Sequence, residues 1–315
     1  MTLIPLLVGA AVAAPVGWLG WNTYITQKTA ASVARAAPPR GRFVQISTGK
    51  LHYIDKGEGP VVLMIHGLGA NLGNFDTGLA DDLARDHRVI AIDRPGMGWS
   101  DRPEDTDASP RAQAAQVAEV IDALKLDKPL VVGHSLGGAI AMCLALDFPD
   151  KVRGLALLAP LTMPPTAPAE VFDGLKLPSR LMRRVVSETI AIPTSMRMAE
   201  QNMEAIFGPD PVPADYALAG GGLLSLRPES FRNTARDYLA SGASLGFMLK
   251  GYAGLKVPVE ILYGKQDQVL DYREHGEALV AKHPQIKLHL LDGGHMLPLT
   301  HIAETAAYIR QACPA

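Results

Sequence analysis

The chain has 315 residues, a formal net charge of −2 and two cysteines. This length exceeds what one hydrophobic core usually needs, so we expect a main domain, an insertion and a leader. A charge so close to zero indicates no nucleic-acid partner. The cysteines, Cys143 and Cys313, have the spacing of neither a metal site nor a disulfide framework.

The first element along the chain is an uncharged apolar segment, Leu3–Ile25. It is long enough to cross the hydrocarbon core of a bilayer. Trp18, Trp21 and Tyr24 gather at its carboxyl end, where aromatic anchors sit at a membrane interface. We therefore predict that residues 1–27 form an N-terminal transmembrane anchor helix, with the lipid bilayer as a partner.

Residues 28–42 are predicted to form a linker, because they are rich in alanine and contain Pro38-Pro39. The basic residues nearest the anchor all follow it, and the positive-inside rule then places the rest of the chain on the cytoplasmic side. These residues are Lys28, Arg35, Arg40 and Arg42.

Two alternatives to the anchor stay open. Ala34-Arg35-Ala36 resembles a signal-peptidase site, so the leader could be cleaved and the protein secreted or periplasmic. A signal peptide usually begins with basic residues, however, and none precedes Lys28. The segment could also be a hydrophobic arm that packs on the domain.

Residues 43–160 have the pattern of the first half of an α/β domain. Alternating or continuous apolar runs predict strands at Phe43–Ser47, Lys50–Asp55, Val61–Ile65, Val89–Asp93, Pro129–Val132 and Val152–Pro160. Apolar residues at helical spacing predict that Arg111–Leu124 is a helix facing the core.

The most informative motif is Gly133-His134-Ser135-Leu136-Gly137. An apolar strand precedes it and a helix of small residues, Gly138–Met142, follows it. A serine at such a sharp strand-to-helix turn is lifted clear of the sheet, and only glycines fit two residues to either side. The pattern therefore predicts that Ser135 is a catalytic nucleophile.

A serine nucleophile needs a base, and the base needs a carboxylate that orients it. Asp267 follows the predicted strand Val257–Gly264, and His295 follows Lys287–Leu291. Because active-site loops lie at the carboxyl ends of parallel strands, we expect Asp267 and His295 to meet Ser135 at one edge of the sheet.

Other titratable residues near these motifs are weaker candidates for the catalytic acid or base. Asp271 is a second candidate for the acid, and His301 a second candidate for the base, although His301 lies in a predicted helix. We interpret Asp93 as organising the turn after its strand, and His66 and His134 as structural.

Between the two predicted halves the pattern changes to prolines, methionines and helical stretches. We predict that residues 161–256 form a helical cap, with residues 43–160 and 257–315 as the core. Apolar cap residues are candidates to line a substrate pocket or to form the interior of the cap. The pocket candidates are Met163, Phe172, Met203, Phe207 and Met248.

Five motifs in order resemble the α/β-hydrolase superfamily, in the branch of serine carboxylesterases, lipase-like enzymes, cofactor-free haloperoxidases and C–C bond hydrolases. They are His66-Gly67, the Asp93–Ser100 turn, Gly133–Gly138, Asp267 and Gly293-Gly294-His295. The resemblance covers residues 43–315. It implies a mostly parallel eight-stranded sheet flanked by helices, with a helical cap and, in this chain, an added N-terminal helix.

The resemblance also implies an oxyanion hole. In this fold one backbone N–H comes from the loop after the strand that ends at Ile65, and the other from the residue after the nucleophile. We assign these donors to Leu68 and Leu136. Ser135 would attack a carbonyl carbon, His295 would carry the proton, and Asp267 would orient His295.

We therefore expect a serine hydrolase that cleaves small to medium acyl esters or lipid-like esters through an acyl-enzyme, with no cofactor and no metal. Close relatives that open epoxides or remove halides have an aspartate where Ser135 stands, which disfavours those reactions. C–C bond hydrolysis, lactone opening and perhydrolysis on the same triad are alternatives. A non-catalytic ligand-binding protein is a further one, and the sequence leaves the oligomeric state open.

Overall fold

The computed structural model describes residues 3–312, with side chains from residue 16 onward. Its strands are β1 Arg42–Ile46, β2 Gly49–Lys56, β3 Val61–Ile65, β4 Arg88–Ile92, β5 Leu130–His134, β6 Gly154–Leu158, β7 Val259–Gly264 and β8 Ile286–Leu291. They form one sheet in the order β1-β2-β4-β3-β5-β6-β7-β8. The pairings of β2 with β1 and with β4 are antiparallel, and the other pairings are parallel. The predicted mostly parallel eight-stranded sheet is confirmed.

The α-helices of the described residues are α1 Leu3–Ala36, α2 Leu79–Leu83, α3 Pro110–Ala123, α4 Leu136–Asp147, α5 Arg180–Glu188, α6 Ala191–Arg197, α7 Ala199–Phe207, α8 Pro228–Ala240, α9 Leu245–Gly251, α10 Ala278–Lys282, α11 Leu297–Thr300 and α12 Ile302–Ala312. Short turns of 3-10 helix connect several of them.

The core lies on both faces of the sheet. Leu63 and Ile65 of β3 pack with residues of α3 and α4 on one face. Val62 and Met64, which alternate with them, pack with residues of α2 and α12 on the other face. Since both faces are covered, the central strands are apolar at every position rather than at alternate positions.

Helices α5 to α8 form the insertion between β6 and β7, and we call them the cap. The predicted cap of residues 161–256 also includes α9, and this boundary stays a prediction. Helix α9 packs against α4, and its Leu245 and Met248 belong to the main core cluster. A helix as short as α9 has no sequence periodicity that distinguishes a cap helix from a core helix. Its burial against α4 places it with the core.

Helix α1 continues to Ala36, so the predicted linker over residues 28–42 is wrong as far as that residue. Its alanines favour a helix, and its far end packs on the cap. Thr26 Oγ1 donates to the carbonyl of Thr189 (2.9 Å), and Val33 is 4% exposed. The prolines that suggested a linker follow the helix instead of interrupting it.

Residues 3–27 of the predicted membrane anchor lie in α1. In the part of the chain that the structure describes, no helix has the length and apolar character required to cross a membrane. Much of the predicted anchor, namely residues 1 and 2 and the side chains of residues 3–15, lies outside the described residues. Trp18, Trp21 and Tyr24 are each more than half exposed.

Candidate active site

Ser135 forms the turn between β5 and α4 in a strained conformation. Its φ of 54° and ψ of −118° are uncommon for a residue with a side chain. Its N–H donates to the carbonyl of Leu158 (3.0 Å), and its own carbonyl accepts from the N–H groups of Gly138 (2.9 Å) and Leu161 (3.0 Å). Bonds on both sides of the residue hold this strained turn in place, and the side chain stays partly exposed.

The two glycines of the motif are required by close approach of the backbone. A Cβ on Gly137 would lie 2.2 Å from the carbonyl oxygen of Ile65, and one on Gly133 would lie 2.5 Å from the carbonyl oxygen of Gly137. Neither contact is possible for a real side chain. The sequence motif therefore reflects how tightly α4 sits on β3 and β5.

His295 and Asp267 form a buried hydrogen-bonded pair. Nδ1 of His295 lies 2.7 Å from Oδ2 of Asp267, and the two side chains are 5% and 0% exposed. The other carboxylate oxygen, Oδ1, accepts from the N–H groups of Val269 (2.8 Å) and Leu270 (2.9 Å). This network fixes the carboxylate and leaves Nε2 of His295 for a substrate or nucleophile. Asp267, and not Asp271, is the partner of His295.

His134 brings the serine turn next to His295. The two imidazole rings are 4.9 Å apart between centroids, and Nε2 of His134 donates to the carbonyl of His295 (3.0 Å). Burial, followed by the charge of His295, lowers the pKa of His134 to about 3, so His134 stays neutral. It positions its neighbours and does not act as a base, in line with the sequence interpretation.

The loop after β3 meets the nucleophile at Gly67, where an added Cβ would lie 3.0 Å from Cβ of Ser135. The Gly67 carbonyl accepts from Nη2 of Arg94 (2.9 Å) and from Nδ1 of His66 (2.9 Å). Carbonyl and amide of one trans peptide point in opposite directions, so the N–H of Leu68 points away from Arg94. That N–H donates to no acceptor in the described part of the chain.

Leu136 supplies the second candidate oxyanion donor. It is the first residue of α4, and the N–H groups of a helix's first turn have no acceptor within the helix. The positive end of the helix dipole also lies here. The role of Leu68 and Leu136 as oxyanion donors stays a prediction.

Arg94 is the residue that organises this region most extensively, and its side chain is fully buried. In addition to Gly67, its guanidinium donates to the carbonyl of His66 (3.0 Å) and to the side chain of Gln113 (2.7 Å). It also pairs with Asp237 of cap helix α8 (2.7 Å). Asp237 has no sequence signal, because this contact joins residues far apart in the chain.

A second contact fastens the cap to the loop of His295. Oδ2 of Asp210 accepts from the N–H of Gly294 (2.8 Å) and from the hydroxyl of Thr300 (3.1 Å). Nε2 of His301 lies 3.2 Å from the other oxygen of Asp210. His301 therefore helps to hold Asp210 against the loop of His295. No pattern in the sequence predicts this role of Asp210.

Asp93 organises its turn as expected. Its carboxylate accepts from the N–H groups of Leu72 (2.8 Å) and Trp99 (2.9 Å), and it lies 2.7 Å from Nδ1 of His52.

The predicted pocket residues divide by burial. Met163 and Phe172 are half-buried against the main core cluster. Met203 is half-buried in a small cluster with Phe207. Phe207 and Met248 have no exposed surface and pack as interior residues. The role of all five in binding a substrate stays a prediction.

Comparison with known proteins gives consistent matches. A model of the alpha/beta hydrolase fold family matches residues 60–302. An uncharacterised protein of Mycobacterium bovis is 30% identical over 84% of this chain and 78% of its own length. A 2-hydroxy-6-oxo-6-phenylhexa-2,4-dienoate hydrolase of Burkholderia cepacia is 27% identical over 81% of this chain and 88% of its own. The crystal structure of a membrane phospholipase A, a bacterial virulence factor, superposes with a TM-score of 0.63 at 22% identity, covering 99% of this chain and 98% of the other.

Proposed function

This chain belongs to the alpha/beta hydrolase family, and we propose that it hydrolyses carboxylic esters through a covalent acyl-enzyme on Ser135. The observation that carries the proposal is the buried His295–Asp267 pair beside a serine held at positive φ. The proposed substrates are small to medium acyl esters or lipid-like esters.

In the proposed acylation step, Oγ of Ser135 attacks the ester carbonyl carbon while Nε2 of His295 takes its proton. The carbonyl oxygen becomes an oxyanion that accepts from the N–H groups of Leu68 and Leu136. Such preorganised donors lower a barrier by about 3 kcal/mol each. When the tetrahedral intermediate collapses, the bond to the alcohol breaks and His295 returns the proton to the leaving oxygen.

Deacylation repeats these roles with water as the nucleophile. His295 takes a proton from water, the hydroxyl attacks the acyl carbon, and Oγ of Ser135 leaves with the proton that His295 returns. Asp267 holds Nδ1–H of His295 throughout, which fixes the tautomer with Nε2 free and stabilises the imidazolium. The hydrogen bonds from the N–H groups of Val269 and Leu270 hold the Asp267 side chain in the position from which it orients His295.

The test is turnover of p-nitrophenyl esters with acyl chains of two to sixteen carbons by the full chain and by Ser135→Ala. We expect hydrolysis with a maximum at one chain length, and a loss of roughly a thousandfold or more in kcat for the variant. The fold of the variant is checked by its melting temperature. Equal turnover by parent and variant would contradict the proposal.

A second candidate is hydrolysis of a C–C bond, because the Burkholderia cepacia relative is named for that reaction. The C–C and ester reactions are distinguished by incubating the protein with 2-hydroxy-6-oxo-6-phenylhexa-2,4-dienoate and monitoring the loss of the visible absorbance of this compound. Turnover of the dienoate without ester hydrolysis would favour the C–C reaction. Lactone opening and perhydrolysis are separated by product analysis, and saturable ligand binding without turnover would indicate a binding protein.

We also propose that the N-terminal part of the chain associates with a lipid bilayer. Trp18, Trp21 and Tyr24 are each more than half exposed, and aromatic residues favour the membrane interface. The basic residues that follow them make the cytoplasmic side the proposed location. Replacing the three aromatics by serine should move the protein from the membrane fraction to the soluble fraction, and an unchanged distribution would contradict the proposal.

A further inference from the structure

A cleft of about 420 Å³ lies between the turn after β4 and cap helices α5 and α8. Neither Ser135 nor His295 lines it. Trp99 forms part of its wall, and five of the other lining residues are arginines: Arg102, Arg183, Arg227, Arg232 and Arg236. We call it the arginine cleft. Pockets for small molecules span roughly 300–1,000 Å³, so this volume can hold a ligand.

Two of the five arginines are neutralised by their own carboxylates. Arg227 pairs with Glu229 and stacks on the ring of Trp99, with 4.3 Å to the ring centroid. Arg232 pairs with Glu188. These contacts build the wall of the cleft but leave no net positive charge for a ligand.

Two further acidic residues line the cleft, and only Glu104 pairs with an arginine. Glu104 pairs with Arg180, which lies outside the cleft lining. Asp101 is exposed at the rim and accepts from the N–H of Lys50 (3.0 Å).

Arg183 and Arg236 have no carboxylate partner among the described residues. Arg183 donates to the carbonyls of Leu177 and Pro178 (2.8 Å each). Arg236 donates to the side chain of Asn233 (3.1 Å) and to two backbone carbonyls, those of Pro103 and Thr106. Neutral acceptors hold both guanidiniums in place without cancelling their charge.

Arg102 adds to this excess of positive charge. Its side chain has no exposed surface, and it shares the carboxylate of Asp237 with Arg94, so two cations meet one anion. Its Nε has no hydrogen-bond partner in the described part of the chain. Burial, followed by the charges of Arg102 and Arg183, lowers the pKa of Arg236 to about 10, as expected where cations outnumber anions.

We propose that the arginine cleft binds a phosphate group between Arg183 and Arg236 of the cap, with the charge of the buried Arg102 beneath them adding to the attraction. Guanidinium forks match phosphate oxygens bidentately, and a dianion balances the two arginines that lack a carboxylate. The volume leaves room for a group attached to the phosphate. Since Arg183 lies on α5 and Arg236 on α8, the bound phosphate joins these two cap helices.

The test is calorimetric titration of the full chain with inorganic phosphate at low ionic strength, with Arg183→Gln and Arg236→Gln. We expect saturable binding by the parent and a loss of affinity of about tenfold or more in each variant. Arg184→Gln is the matched control, because Arg184 is exposed on the same helix and does not line the cleft. We expect this control to bind like the parent.

No saturable binding by the parent would overturn the proposal, as would equal losses in Arg183→Gln and Arg184→Gln. Arg183→Lys controls for a folding defect, because lysine keeps the positive charge but lacks the planar guanidinium. Its affinity for phosphate should fall between those of the parent and of Arg183→Gln. Melting temperatures without phosphate report the fold of each variant.

The source of the phosphate is resolved by vesicles. Phosphatidylcholine vesicles with and without phosphatidic acid are sedimented with the parent and with Arg183→Gln. Retention that needs phosphatidic acid and Arg183, and that free phosphate reverses, supports a lipid headgroup. Binding of free phosphate without retention supports a soluble phosphate ester in the same site.

Discussion

At the scale of single residues, Arg94 holds the loop beside Ser135 and the cap with one side chain. Two of its donors fix the carbonyls of His66 and Gly67, and a third reaches Asp237 of α8. Because Arg94 holds the Gly67 carbonyl, it also fixes the direction of the Leu68 N–H, which belongs to the same peptide group. Arg94 is thus a positioning residue for the proposed oxyanion hole, and it does not itself contact the reacting atoms.

We predict that Arg94→Lys lowers kcat about tenfold to a hundredfold, because an ammonium cannot reproduce the planar fork that holds both carbonyls. The effect on KM should be smaller, since the Leu68 amide acts mainly on the oxyanion. Steady-state kinetics on the best ester measures both constants.

Arg102→Lys is the control, because Arg102 shares Asp237 but makes no bond to the loop of Gly67. Arg102→Lys should lower the melting temperature about as much as Arg94→Lys does, and its kcat should stay within about twofold of the parent value. Equal losses of kcat in the two variants would assign Arg94 a purely structural role.

At the scale of elements, the packing of α4 on β3 determines which glycines are required. We predict that Gly137→Ala destabilises the fold by about 3 kcal/mol or more, because its Cβ would lie 2.2 Å from the Ile65 carbonyl, where neither backbone can yield. Gly246 of α9 has nothing within 4 Å of its added Cβ. Gly246→Ala should therefore stabilise the fold by about 0.5–1 kcal/mol. Urea unfolding measures both, and a stable Gly137→Ala would refute the packing argument.

The elements also show what the sequence could predict. The strands and the turn at Ser135 have local signals, and their order along the chain suggested the pairing of Asp267 with His295. The cap contacts of Asp210 and Asp237 have none, because each joins residues that meet only after the chain has folded. Composition predicts a linker over residues 28–36, where α1 instead continues and packs on the cap. Composition also carries no signal for the packing of α9 on α4.

At the scale of the whole molecule, buried neutral histidines make stability depend on pH. Burial lowers the pKa of His66, His134 and His275 below the value of about 6.5 expected in the unfolded chain. Between the folded and unfolded pKa values the unfolded chain binds more protons, so this stability is present above pH 6.5 and is lost as pH falls.

We predict that the free energy of unfolding falls by about 2 kcal/mol between pH 6.5 and pH 5 from His134 alone. Urea unfolding at pH 7.5, 6 and 5 measures the slope. His134→Gln removes one titrating group and should make the slope shallower by that amount. An identical slope in parent and variant would show that His134 protonates equally in both states.

The most direct measurement is the mass of the full chain after reaction with a fluorophosphonate, followed by peptide mapping. The proposed chemistry predicts one adduct, on Ser135, with no adduct on Ser135→Ala and a reaction slowed by roughly a hundredfold or more in His295→Ala. A folded parent that stays unmodified, or an adduct on another residue with Ser135 free, would contradict the assignment of Ser135 as the nucleophile.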